Sequence, residues 1–329
     1  MDLSKKSFLA IFTLLFFYSE TLLSETYRHL LSDSEKGENT IVWEETDTLS
    51  FDELILCWNA PRTENGDYAF FVSLRQNGEW SPFLYYGDWG VRGQMLTGES
   101  ASFAKTGRGS ATATKGQCDG FRIEVASPNN LLEMERLWVS TAHLAAFKPP
   151  LSPPPALEPI LLENVPRQST YTLRLPRYWD MTMVAAMLSA IGHLGKTNVD
   201  IEDFASRIMD GDFECYDFWP LHAAEAYHRL AGAYQVHVER LPDFSALHSC
   251  LLKGTPVLVD IQGTPQNGLM WPHYRSHILL VIGYDPLNRK VHCLDPIFPG
   301  DKSTSIAYGV DDFIRLWAKR QNIACIFTH

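Results

Sequence analysis

Ser276-His277-Ile278-Leu279-Leu280-Val281-Ile282-Gly283-Tyr284 leads into a turn at Asp285-Pro286-Leu287-Asn288, and Lys290-Val291-His292-Cys293-Leu294-Asp295 follows. An uninterrupted apolar run bounded by turn residues is what a strand buried on both faces requires, and the Asp-Pro turn sends the chain back, so the stretch reads as a hairpin. His277 opens one arm and Asp295 closes the other, which puts them on neighbouring strands at the same end of a sheet. A carboxylate there can hold an imidazole in one tautomer and stabilise its protonated form, as a general base needs. A slip of one residue in register would turn the two side chains to opposite faces.

On either side of the hairpin, helix and strand signals alternate. After Asp180, apolar residues recur at helical spacing (Met181, Val184, Met187, Leu188, Ile191), and Gly192 and Gly195 offer stops. Asp180 reads there as an N-cap, a role that contributes about 0.5–2 kcal/mol to a helix. Pro220 suits a first helical turn before Leu221, Ala224 and Tyr227. Asp243 can cap a helix carrying Leu247, Leu251 and Leu252, which Gly254 and Pro256 end. Val257 to Ile261 reads as a buried strand, Asp311 and Asp312 lead a last helix through Phe313, Leu316 and Trp317, and Ile323 to Phe327 reads as a final strand. Helices come first and antiparallel strands later, which is the order of an α+β domain over 160–329.

Residues 148–155 read KPPLSPPP, and five prolines in that stretch cannot donate ladder or helix hydrogen bonds, so 148–159 is expected to be an extended linker. Before it, residues 40–147 alternate apolar and polar side chains over short runs such as Ala69 to Leu74, Phe121 to Val125 and Leu137 to Val139. Turn signals at Asn65-Gly66, Asn77-Gly78 and Lys115-Gly116 fall beside those runs. That pattern predicts an all-β sandwich. Trp58, Trp80, Trp89, Tyr85 and Tyr86 read as core and strand-edge aromatics, with a carbohydrate or peptide platform as the other use of such rings.

The remaining N-terminal stretch has a different character. Lys5 and Lys6 precede an apolar run from Phe8 to Tyr18, too short for a bilayer span of about 20 residues, and Ser24 offers a small-residue cut. Residues 1–24 are read as an export signal, with an uncleaved anchor as the only route to a membrane, and 25–39 as an N-terminal segment. The expected location is secreted, periplasmic or cell envelope.

The chain has 329 residues, 28 Lys plus Arg against 39 Asp plus Glu, and a formal net charge of −11, so no positive field is available to hold a phosphate backbone and nucleic acid is not an expected partner. Its six cysteines permit 15 full pairings and leave the connectivity open. None is spaced Cys-x-x-Cys and no His-Glu-x-x-His occurs, so neither a metal nor a cofactor is expected.

The hairpin with Leu294-Asp295-Pro296 resembles the Gly-His-(apolar run)-Gly-Tyr-Asp and Asp-Pro signature of secreted bacterial proteins related to cysteine peptidase family thirty-nine, with Ser276 where the family has Gly. The likeness extends to Trp219-Pro220, to Leu252-Lys253-Gly254-Thr255-Pro256, and to Tyr308-Gly309-Val310-Asp311-Asp312-Phe313 with Trp317. In the sandwich, Phe51-Asp52-Glu53-Leu54, Trp58-Asn59-Ala60 and Trp80-Ser81-Pro82-Phe83 are similar to the β domain that often precedes this unit. The resemblance implies an α+β papain-like cysteine peptidase fold after the sandwich, with His277 and Asp295 as the base and its partner.

The family's nucleophile lies in a Trp-Cys-Ser-Pro-Thr-Ser motif. Here the matching stretch is Trp179-Asp180-Met181-Thr182-Met183-Val184, so Asp180 stands at the position of the cysteine. A thiolate at a helix N-terminus attacks a carbonyl to give an acyl-enzyme, whereas attack by a carboxylate would give a mixed anhydride. The family's oxyanion-hole glutamine sits in a Ser-Gln pair. The nearest match, Arg167-Gln168-Ser169, is shifted by one residue and makes Gln168 the candidate. Cys215, beside the segment that lines the family's cleft, is the alternative nucleophile, provided that a base comes within about 3 Å of it. Three functions are therefore expected: a catalytically impaired peptidase relative binding peptide or peptidoglycan-linked peptide, an active hydrolase using another nucleophile such as Cys215, or a structural envelope protein.

Overall fold

The strand His277–Asp285 pairs antiparallel with Lys290–Leu294 across a turn at 286–289, as the hairpin pattern requires. It lies inside a seven-stranded antiparallel sheet ordered Gln235–Arg240, Ile323–Thr328, Val257–Ile261, His277–Asp285, Lys290–Leu294, Ser305–Gly309, with the short Ile160–Leu161 also pairing His277–Asp285. The register shifts between Val281 and Gly283. A side chain at Gly283 would meet the Ile160 carbonyl oxygen at 2.5 Å, so glycine there lets the Ile160–Leu161 strand close on the sheet.

These are features of a computed structural model, which describes residues 24–62, 66–90, 93–95, 98–129, 131–154, 156–173, 180–210, 215–266 and 276–329. Of residues 1–24, the expected export signal, only Ser24 is included, and Asn65, Trp179, Phe213 and Glu214 lie outside the described residues. Among the described residues no helix is long and apolar enough to cross a membrane.

Among the described residues five α-helices accompany this sheet. Phe244–Leu252 is capped by Asp243, whose Oδ1 accepts from the Ala246 N–H at 2.9 Å, and Trp219–Arg229 carries Pro220 in its first turn, both as the sequence indicates. The helix Thr182–Gly195 corrects an expectation. Its N-cap is Met181, with no side-chain cap bond, so Asp180 stands one residue ahead of the cap. The helix Ile201–Ile208, capped by Asp200, and the strand Gln235–Arg240 were not read from the sequence. Phe244–Leu252 and Val310–Ala318 meet through Phe244 and Phe313, ring centroids 6.1 Å apart.

Residues 24–142 form the sandwich. One sheet runs Ser24–Leu30, Arg136–Ala142, Glu53–Asn59, Ser110–Ala113, Ala104–Gly107, Ser100–Ala101, and the other Thr40–Glu45, Gly120–Ala126, Asp67–Gln76, Leu84–Gly90, Gly93–Met95. Part of the expected N-terminal segment, 25–39, is thus an edge strand, held because Ser24 to Leu30 pair along their whole length with Ala142 to Arg136. Trp58, Trp89 and Tyr86 are buried between the sheets, Trp58 stacked on Phe70 at 4.2 Å, and each such ring contributes about 2–3 kcal/mol through burial. Only Trp80 and Tyr85 of the five aromatics stay half-exposed, and the Arg122 guanidinium lies 3.9 Å above the Trp80 ring.

The sandwich and the seven-stranded sheet share one continuous apolar core. Asn59 ties them together, donating to the Val236 carbonyl at 2.8 Å and accepting from Trp138 Nε1 at 2.8 Å, while Trp138 stacks on His237 at 3.8 Å. None of the six cysteines is paired in a disulfide.

Candidate functional site

A cavity of about 670 Å³ opens where the sandwich, the seven-stranded sheet and the start of the helix Thr182–Gly195 meet, a volume within the range of ligand pockets. Asp180, Thr182, Cys215, Asp217 and Trp219 line it from the helical side. Arg108, Gly109 and Ser110 line it from a hairpin of the sandwich, and Asp260, Ser276 and Ile278 from the sheet.

Its floor is a charged hydrogen-bond network that crosses between the two halves of the chain. Glu53 Oε2 accepts from Arg240 Nε at 2.9 Å and Nη2 at 2.5 Å, and Arg240 Nη1 donates to the Arg320 carbonyl at 2.9 Å. Arg320 Nε donates in turn to Asp260 Oδ2 at 2.6 Å, while Asp260 Oδ1 accepts from Ser276 Oγ at 2.8 Å and from the His277 N–H at 3.0 Å. Asp260 is almost wholly buried, which pushes its carboxyl above the usual carboxylate range although Arg320 pulls the other way. The sequence signal for this group was an acid inside the apolar run Val257-Leu258-Val259-Asp260-Ile261, and it was passed over.

His277 and Asp295 are together. His277 Nε2 lies 2.8 Å from Asp295 Oδ1, and Tyr308 Oη donates to Asp295 Oδ2 at 2.6 Å. His277 is 3% exposed and Asp295 1%. Burial works against the Asp295 charge, but the His277 and Tyr308 partners outweigh it and hold the carboxyl below its ordinary range. The same burial, joined by the Asp295 charge, pushes the Tyr308 hydroxyl up.

This pair does not line the cavity. Asp260 is opposite Ile278 in the register and Ile261 opposite His277, so the pleat sends Asp260 and Ile278 to one face and His277 to the other. Asp180 and Cys215 share the cavity on the Ile278 side. Gln168 lines neither place. Its Nε2 donates to Thr172 Oγ1 at 3.2 Å in a segment whose Thr170 N–H bonds the Pro296 carbonyl at 2.8 Å, beside the loop that follows Asp295. Among the described residues no group of three or more His, Cys, Asp or Glu could hold a metal ion.

Residues 162–325 match the model of the Peptidase_C39 like family. No curated protein and no solved structure matches the chain. The matched region holds Asp180, Cys215, His277 and Asp295, and it supports a C39-like peptidase family and a papain-like fold for this half of the chain. The sandwich, with its share of the cavity wall, lies outside the match.

Proposed function

We propose that the protein is a peptidase-like binder of short peptides, including peptides of the cell wall, that holds them in the cavity between its halves without cutting them. One observation carries this reading: at the start of the helix the cavity wall has Asp180 in place of the family's cysteine, while His277 and Asp295 lie off it. A hydrolase needs nucleophile and base within hydrogen-bond reach of one reacting carbonyl. Cys215 lines the cavity, but its would-be base does not. The dispersed polar groups and the half-buried Trp219 suit a backbone with amide donors and acceptors. The basic and apolar start of the sequence supports export, which would place such peptides within reach.

Titration of the purified protein with short wall-type peptides, followed by mass spectrometry of the mixture, tests the reading. Saturable binding that weakens at least tenfold in Trp219→Ala, with every peptide recovered intact, is expected. Peptide cleavage, or labelling of Cys215 by a thiol-directed peptidyl electrophile that vanishes in His277→Ala, would replace this reading with an active cysteine hydrolase.

A further inference from the structure

The hairpin that reaches into the cavity has an unusual tip. Arg108 and Gly109 join Ala104–Gly107 to Ser110–Ala113 as a two-residue turn, with φ of 53° and 76°. Positive φ at both positions is the signature of the type I′ turn, whose first position favours Asn, Asp or Gly because a longer side chain is strained there. The sandwich itself uses the favoured pair, Asn77-Gly78, at φ of 53° and 82° in another tight turn. Arginine does nothing for the turn, and strained residues concentrate where a side chain has work to do.

The surroundings say what that work is. Of the arginines lining the cavity, Arg240 is neutralised by Glu53 and Arg320 by Asp260. Arg108 has no ion pair or hydrogen bond from its guanidinium to another described residue. Arg289, the other arginine at positive φ, has its guanidinium bound by Asp311 at 2.5 Å. Asp180 and Asp217 are the other charged side chains in the described wall outside those two pairs. Arg108 is therefore the arginine of the cavity wall whose guanidinium is left for a ligand, and a peptide brings a matching carboxylate at its C-terminus. Guanidinium and carboxylate pair through two parallel hydrogen bonds, which fixes direction as well as charge.

We propose that Arg108 holds the free C-terminal carboxylate of the bound peptide, so that the sandwich supplies the specificity of a site whose other walls are peptidase-like. This rests on the peptide-binding reading above. The test uses two tripeptide libraries of identical composition, one with free C-terminal carboxylates and one amidated, with retention by the immobilised full chain read by mass spectrometry. Wild type should retain the free acids at least tenfold more than the amides, and Arg108→Asn should remove that preference. Asparagine suits the turn, so the variant should melt no lower than wild type, and Arg108→Lys should restore part of the preference. Equal retention of both libraries by wild type, or a preference that survives in Arg108→Asn, would overturn this assignment and leave peptide binding standing. Retention of neither library would remove both.

Discussion

Replacing Asp295 by alanine is expected to cost about 3–5 kcal/mol of stability, the range for removing one partner of a buried charged pair. Asp295 accepts from His277, from Tyr308 and, at 3.2 Å, from the Ile297 N–H. All the side chains involved are buried, so the truncation leaves a histidine and a tyrosine hydroxyl without their acceptor and no water to replace it. The pH dependence has a definite sign. A carboxyl held below its unfolded value of about 3.9 contributes stability that is present above that value and lost as pH falls through the lower folded value. Urea midpoints at neutral pH and below about pH 4 should therefore converge for wild type and Asp295→Ala on acidification. Peptide binding per folded molecule should not change, because Asp295 does not line the cavity. A midpoint that hardly moves at neutral pH, or binding lost with stability kept, would return the pair to the functional site.

The hairpin, its turn and the nearness of His277 to Asp295 were legible because each depends on local pattern: an apolar run, a turn and a residue at each end. Which way His277 points was not. That depends on a parity that the sequence leaves free until Val257–Ile261 is set beside it in register, and a displacement of one residue reverses the answer. The same limit hid the cavity floor. Arg240 and Glu53 are separated by 187 positions, and no local signal pairs them. The Asp180 reading failed for another reason. An acid before a helical run is a sound N-cap signal, but the α-helix starts at Thr182 with Met181 as its cap, and Asp180 falls one residue short. Ser24–Leu30 was missed because a stretch next to an expected export signal invites no strand reading, although its pairing with Arg136–Ala142 is complete. The unpromising dipeptide Arg108-Gly109 shows the converse. A turn residue that defies its own propensity is visible in the sequence only after the turn type is known.

The join between the halves rests on a second buried carboxylate, and Glu225→Ala is expected to cost a further loss of about 3–5 kcal/mol by the same mechanism. Glu225 is fully buried in the helix Trp219–Arg229, where its Oε1 accepts from Arg229 Nε at 2.6 Å and its Oε2 lies 3.6 Å from Arg62 Nε, an ion pair too long for a hydrogen bond. Arg62 comes from the sandwich, with its guanidinium 4.0 Å over Trp89, Nη1 bound to the Gly90 carbonyl at 2.7 Å, and Nη2 bound to the Arg207 carbonyl. Its own N–H donates to His228 Nδ1 at 3.2 Å, an acceptor kept neutral because burial and the nearby arginines push that imidazole down to about 4. Without Glu225, Arg207 and Arg229 keep Asp203, and Arg62 loses the carboxylate that faces its Nε. The sign with pH is opposite to that of Asp295. Burial pushes the Glu225 carboxyl up by more than the arginines pull it down, so the folded state binds the proton more tightly than the unfolded one. This group's contribution is therefore full below its unfolded value of about 4.3 and falls as pH rises through the raised folded value. Glu225→Gln, which cannot titrate, should lose stability more slowly than wild type over that rise, and chemical unfolding at a series of pH values reads the difference. Parallel curves for the two proteins would mean that burial and the arginines cancel at this carboxylate, and a wild type that gains on Glu225→Gln over the rise would mean that the arginines outweigh burial.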